Sequence, residues 1–331
     1  MSQLTLGPNR GPLGPDRIPR GSGTRSADNK LSHMCAIGFR KIIDFADLPG
    51  SWSFVTLSAD WNGSPLVLFA EGKPPQPDEA AIAADPWVST RWYRMAAKAH
   101  HVAYLHGSDV RTICFERRDE IRPFHIQRLI EGWLLAEIRD GRGAIYDQCG
   151  HFIRSIDLGD GIQDIQTSPD GQIWVSYFDE GVYGDGIGKY GAVCFDSHGN
   201  PQFKYGEFAE QRGLPFISDC YAMNVSGTGD VWLNYYTDFP LVHLRDFALE
   251  KVWDEFGAMG KGFAVRDEDV VYLREGRLCS ISLQSGKDAE IYRVEDESGV
   301  SLPQLPKRSL EYACRGPHLV MCIGSAVYSS L

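Results

Sequence analysis

Pairs of short strand-like runs return along this chain at a nearly constant interval, and no other feature limits its fold as tightly. "HVAYLHGSDVRTICF" (101–115), "AIYDQCGHFIRSI" (144–156), "AVCFDSHGNPQFKY" (192–205), "LVHLRDFALEKVW" (241–253) and "RLCSISLQSGKDAEIY" (277–292) share one pattern. Each couples an apolar strand to a more charged one through a polar turn, and "AVYSSL" (326–331) is half of a last copy. The starts at 101, 144, 192, 241, 277 and 326 are 43, 48, 49, 36 and 49 residues apart. Between them run strands of another kind: "GWLLAEI", "GQIWVSYF", "GDVWLNYY", "DVVYLRE" and "HLVMCIG". A period of about 40–50 residues with four strands per unit is the signature of a β-propeller. With "SPLVLF" (64–69) as the earliest second strand, the count is six blades.

The two ends of the repeat fit the same reading. The sixth blade supplies only three strands, "LEYACRG", "HLVMCIG" and "AVYSSL", whereas "CAIGFRKI" (35–42) precedes a full first blade with no partner. Placing that orphan strand outermost in the last blade closes the ring and removes exposed sheet edges. A β-sandwich accounts for neither end. The expectation is therefore an all-β, six-bladed propeller of four-stranded blades over 35–331, closed by an N-terminal strand.

Residues 1–34, rich in Gly, Pro, Arg and Ser, carry no apolar run and read as a disordered tail, with Met34 as an alternative start. Residues 72–101, "GKPPQPDEAAIAADPWVSTRWYRMAAKAHH", break the pattern. They read as a Pro-rich linker and a short helical insertion between the second and third strands of blade one. Trp87, Arg91, Trp92 and Tyr93 could there wall the channel mouth or pack on the propeller flank.

At "SPDGQIWVS" (168–176) the repeat resembles the six-bladed propellers of the NHL-repeat and SMP-30/gluconolactonase group. The resemblance covers the blades and implies the fold. It implies activity only through a lactonase-like alternative, because no acidic-and-asparagine ligand set stands at matched positions.

Composition narrows the partners. A net charge of -11 argues against nucleic acid, and no apolar run is long enough for a membrane-spanning helix. The eight cysteines are scattered, mostly inside apolar runs, and form no C-x-x-C pair. They read as buried free thiols in a cytoplasmic protein rather than as disulfides or a zinc site. Motifs for serine hydrolases, P-loops and zincins are missing, and the Gly-rich "GDGIGKYG" (184–191) joins two strands instead of opening a helix.

In a propeller the inner strands all start at one end of the channel, where the loops joining second to third strands also open. Ligands gather there because several blades converge on one funnel. Aligning the blades brings His125, Asp164, Ala222 and Gly262 to equivalent entry positions, with Glu311 and Tyr312 close by. Tyr221 and Lys261 are neighbours of these, and the loops add Glu137, Asp179, Glu180, Asp185, Asn234, Tyr235, Tyr236 and Asp238. The ligand-binding set is thus Asp164, Asp179, Glu180, Asp185, Tyr221, Asn234, Tyr235, Lys261 and Tyr312. His125, Asp164 and Glu311 are the candidate ligands of a divalent cation (calcium, magnesium or zinc). A structural ion-pair network of Asp164, Glu311 and Lys261 competes with that reading. Two functions stay open: an acidic funnel binding a small molecule or a protein, or a metal-dependent hydrolase or lyase at the channel mouth.

Overall fold

The computed structural model describes residues 36–48, 50–72, 80, 97–254, 256–274, 277–285, 290–300 and 311–330. The chain divides into Met1–Met34 and Cys35–Leu331, and the account below concerns the second unit. The tail, Cys35 and most of the insertion, with Trp87, Arg91, Trp92 and Tyr93, lie outside the described residues.

Strand β1 (Ala36–Asp44) comes first. Blade one is β2 (Trp52–Ala59), β3 (Pro65–Glu71), β4 (His100–His106) and β5 (Asp109–Phe115). Blade two is β6 (His125–Arg128), β7 (Gly132–Ala136), β8 (Arg142–Asp147) and β9 (Phe152–Asp157). Blade three is β10 (Ile162–Thr167), β11 (Ile173–Tyr177), β12 (Ala192–Phe195) and β13 (Pro201–Lys204). Blade four is β14 (Asp219–Val225), β15 (Asp230–Tyr236), β16 (Leu241–Arg245) and β17 (Ala248–Trp253). Blade five is β18 (Phe263–Arg266), β19 (Asp269–Arg274), β20 (Arg277–Ser282) and β21 (Glu290–Asp296). Blade six holds β22 (Glu311–Arg315), β23 (His318–Ile323) and β24 (Ala326–Ser330).

The six innermost strands β2, β6, β10, β14, β18 and β22 abut in that order, and β22 returns to β2, which makes the ring of a six-bladed β-propeller. Strand β1 runs antiparallel to β24 from Phe39 to Asp44. Its first half also pairs in parallel with β21, Ala36 opposite Arg293 to Phe39 opposite Asp296, so blades five and six share one sheet at their outer edge. The repeat gives no hint of this second pairing.

The core lies in layers between blades. Leu66 and Leu68 of β3 pack toward blade two with Trp133 and Leu135, whereas Val67 and Phe69 face blade six with Val320 and Val327. Both faces of a blade are covered, so the middle strands read as continuous apolar runs instead of alternating ones. Trp174 and Trp232, at matching positions, fill such layers: Trp174 against Phe203 and Phe247, Trp232 stacked on His243 at 3.8 Å.

Two short helices escaped the periodicity reading. Helix α1 (Asp179–Val182) sits inside the acidic loop, and α2 (Tyr205–Arg212) follows β13 directly. Tyr205, Phe208 and Ala209 give α2 a buried stripe, and Gly213 ends it in the left-handed conformation. Two turns are too few for a 3.6-residue period to stand out beside a strand pattern.

Of the seven described cysteines, Cys194, Cys220, Cys279, Cys314 and Cys322 are buried. Cys114 and Cys149 are exposed, contrary to the general expectation of burial, because they lie on an outer strand and a hairpin turn. All seven are free. Among the described residues, no helix is long and apolar enough to cross a membrane.

Candidate functional site

An inner strand has one edge with no partner strand, so six rows of backbone N–H and C=O groups face the ring's centre. Buried groups of this kind must find partners. Three amide side chains supply them. Gln166 donates from Nε2 to Met223 O (2.9 Å) and accepts the Val225 N–H (2.7 Å), clamping blade three to blade four. Asn224 repeats the device: it donates to Phe263 O (2.6 Å) and Gly316 O (2.9 Å) and accepts the Gly316 N–H (2.7 Å). Gln127 reaches Ser58 Oγ (2.6 Å) on one side and accepts from Thr167 Oγ1 (3.3 Å) on the other.

These residues stand two positions after His125, Asp164 and Ala222, the positions singled out in the sequence. The recurring amide in "HIQ", "DIQ" and "AMN" was therefore a readable signal, and it marks the belt that ties the ring together.

Arg315 completes the belt. Its guanidinium is 1% exposed and donates from Nη1 to Gln166 Oε1 at 2.9 Å, while Nε and Nη2 have no protein partner. Burial pulls its pKa down to about 9, against the pull of Asp164 and Asp60. Asp164 stands higher in the channel, bonded by Gln166 Nε2 (2.9 Å) and its neighbour's Ile165 N–H (2.8 Å). It keeps a partly accessible surface but is surrounded on all sides, and this desolvation lifts its carboxyl to about 6.

The three proposed cation ligands are not brought together. Glu311 is paired with Lys261 at 2.8 Å, on the exposed lip. His125 stands edge-on to Phe124 with ring centroids 5.4 Å apart. Among the described residues no three His, Cys, Asp or Glu side chains are gathered in a way that could hold a metal ion. Lys261 also lies over the Tyr312 ring (5.1 Å), whose hydroxyl is pushed above its usual range by burial. The Lys261–Glu311 ion pair is thus present, although it lies on the lip and does not fill the channel.

Asn234 and Tyr235 are structural. Asn234, fully buried, donates to Pro240 O and Gly257 O (3.0 Å each) and accepts the Met259 N–H (3.1 Å). The Tyr235 hydroxyl meets Tyr205 Oη (2.7 Å) and Pro215 O (3.1 Å) in the interior. Neighbouring blades explain the miss: Asn234 and Tyr235 point to opposite faces, and both faces of β15 are covered.

Glu137 is buried just after β7 of blade two, whereas Asp179, Glu180, Asp185, Tyr221, Tyr236 and Asp238 belong to a rim over blades three and four. Asp179, Glu180 and Asp185 lie in the β11–β12 loop, where Glu180 takes Arg139 at 3.0 Å and Asp185 points to solvent. Asp179 opens helix α1, which packs against β14, the strand that starts at Asp219. Burial first, and then the Asp179 charge, raise the Asp219 carboxyl above its ordinary range. Tyr221, two residues along β14, is 37% exposed and packs edge-on against Phe239 (5.4 Å), which also touches Tyr236 (5.6 Å). Burial, then Asp219, Tyr236 and Asp179, raise the Tyr221 hydroxyl.

The turn carrying Phe239 is strained. Asp238 and Phe239 both have positive φ, 68° and 49°. Both lie in the four-residue connection 237–240 between β15 and β16, and a bulky residue in the left-handed region costs about 1–2 kcal/mol. Asp246 and Phe247, the two-residue hairpin turn between Arg245 and Ala248, also have positive φ, but Phe247 is repaid by stacking on Phe203 at 5.2 Å against the core. The Phe239 ring meets the rim aromatics, and its carbonyl accepts the Gly257 N–H at 3.2 Å. Strain kept for such small local return points to a functional surface.

Fold and site together define a closed six-bladed β-propeller with a polar belt inside and an acidic, aromatic rim at one end. A family model described as the YxzG family matches residues 192–329, from β12 to β24. No curated protein matches the chain. Among solved structures it is similar to virginiamycin B lyase from Staphylococcus aureus, with 10% identity, TM-score 0.48, and 89% of this chain and 98% of that one covered. It is also similar to regucalcin, a calcium-binding protein from Agrobacterium tumefaciens, with 10% identity, TM-score 0.43, and 89% and 94% covered.

Proposed function

We propose that this protein is a binding module whose rim over blades three and four takes a cationic group, presented by a small molecule or by a side chain of a protein partner. The observation that carries the reading is the juxtaposition of Asp179 and Asp219 with Tyr221, Tyr236 and Phe239, the last held on a strained turn. Two carboxylates set near each other repel, and a cation relieves them while the ring faces add cation–π attraction. An organic cation fits better than a metal ion. The carboxylates are backed by rings, whereas calcium or magnesium asks for six or more oxygen donors.

Calorimetric titration with spermidine and with an arginine-rich peptide tests this. Both should bind, and Tyr221→Ala or Asp179→Asn should each weaken binding about tenfold, the worth of one cation–π contact or one charge-assisted bond. Absence of binding by both cations, or equal binding of a glutamate-rich peptide, would overturn the reading.

Asp164 supports a second reading, a hydrolase or lyase working at the channel mouth. A carboxyl near 6 suits proton transfer at neutral pH, and Lys261 lies close enough to favour its charged form. This reading requires turnover, on a panel of lactones for instance, that Asp164→Asn removes without unfolding the protein.

A further inference from the structure

The rim is not acidic all round. Where the chain enters β4 and crosses from β5 to β6, a cleft of about 100 Å³ opens between blades one and two. Lys98, His100, Arg117, Arg118, Asp119 and Arg122 line it, four cationic side chains against one carboxylate in a chain whose net charge is -11. That carboxylate is committed: Asp119 accepts from Arg117 Nε at 2.6 Å. Glu120, just outside, takes Arg118 Nη2, but the Arg118 Nε–H is buried without a partner, and the guanidinium is pinned flat over Phe152 at 4.1 Å. The nearby Glu137 accepts the backbone N–H of Arg122, and burial raises its carboxyl against the pull of Arg142 and Arg122.

We infer that this cleft is a binding site for a small oxyanion of the phosphoryl class, formed by Lys98, Arg118 and Arg122 with His100 at its floor. Charge selects the ligand's sign, because Lys98 and Arg122 add positive charge beside the Arg117–Asp119 and Arg118–Glu120 pairs. Volume selects its size. A cleft of about 100 Å³ is small beside the several hundred cubic ångströms of a typical small-molecule pocket, so a single phosphoryl group is the fitting size to seat among the lining side chains. Donor geometry adds to this, since fixed guanidinium forks match phosphate oxygens and a rigid, ring-stacked Arg118 loses little freedom on binding. His100 is neutral at physiological pH: burial first, then His101 and Arg117, lower its pKa to about 4. It can therefore donate one ring N–H without adding charge.

The test is titration of the full chain with inorganic phosphate at ionic strength held constant with chloride, followed by calorimetry and by the His100 imidazole resonances. Phosphate should bind saturably, and a dianion beside His100 should shift its titration upward. Arg122→Glu and Lys98→Glu, both at exposed positions, should keep the melting temperature and weaken phosphate about tenfold or more each, as expected for losing a charge-assisted contact and adding repulsion. No saturable binding by the wild-type chain at about 10 mM phosphate, where a site of ordinary millimolar affinity would be mostly filled, overturns the inference. So does unchanged affinity in both variants, or tighter binding of succinate than of phosphate.

Discussion

Replacing Gln166 with leucine should loosen the whole ring, although the side chain lies far from any surface. Leucine has nearly the same volume, so the packing term is small and the loss is one of hydrogen bonds. Four buried groups lose a partner, Met223 C=O, Cys314 C=O, Val225 N–H and the Arg315 Nη1 donor, and the Asp164 carboxyl loses one too. Each orphaned group costs about 1–3 kcal/mol, and water entering the channel recovers part of it, which leaves about 3–6 kcal/mol. A unit of this size loses about 2 °C of melting temperature per kcal/mol, so thermal unfolding should start about 6–12 °C lower. Gln202, on outer strand β13 and exposed, is the matched control: its only recorded bond reaches Asn200 O at 3.2 Å. Gln202→Leu should leave the melt unchanged. A Gln166→Leu protein melting within about 1 °C of wild type would refute the claim that amide clamps satisfy the inner edges.

Other expectations follow from single sites. The Asp164 carboxyl is raised in the folded state to about 6 from its ordinary value of 3.8, so its favourable contribution is complete below about pH 4 and is lost as pH rises through 6. Asp164→Asn should therefore gain on wild type as pH goes from 4 to 7, by at most about 3 kcal/mol, in denaturant titrations at several pH values. A constant difference would show that Asp164 is not desolvated. Phe239→Gly and Phe239→Ala both delete the ring, but only alanine keeps the left-handed cost, so the glycine variant should be more stable by about 1 kcal/mol. Equal melts would remove the strain argument. Under native conditions a thiol reagent should modify Cys149 and Cys114 first, while Cys194, Cys220 and Cys314, whose thiols burial pushes well above their ordinary range, wait for unfolding. Finding disulfides in the freshly isolated protein would contradict the reducing compartment that the sequence suggests.

How much of this was legible in the chain depends on how local each cause is. Strand content and blade count are written in runs of four to seven residues and in the interval between them, so "SPDGQIWVS" and "GDVWLNYY" announce blades without any knowledge of their neighbours. The acidic loop at Asp179 and the entry position of Asp164 follow from the same repeat, because a propeller brings every inner strand's start to one end. Helix α2 was missed since two turns carry too little period. Asn234 and Tyr235 lie buried on opposite faces of β15, because neighbouring elements cover both sides of that strand's end, which no local pattern announces.

The sequence by itself determined that this protein is a ring of four-stranded sheets, for side-chain alternation and turn residues act over a few positions and survive without context. Only the tertiary structure decided what the polar residues do. Gln166 is 149 residues from Arg315 and 57 from Met223, and no local pattern could say that they share hydrogen bonds. The same holds for the gathering of Tyr221, Tyr236 and Phe239 beside Asp179, and for Lys98 facing Arg122 across a cleft. Electrostatics and hydrogen bonding depend on distances in space, and closure of the ring is what sets those distances.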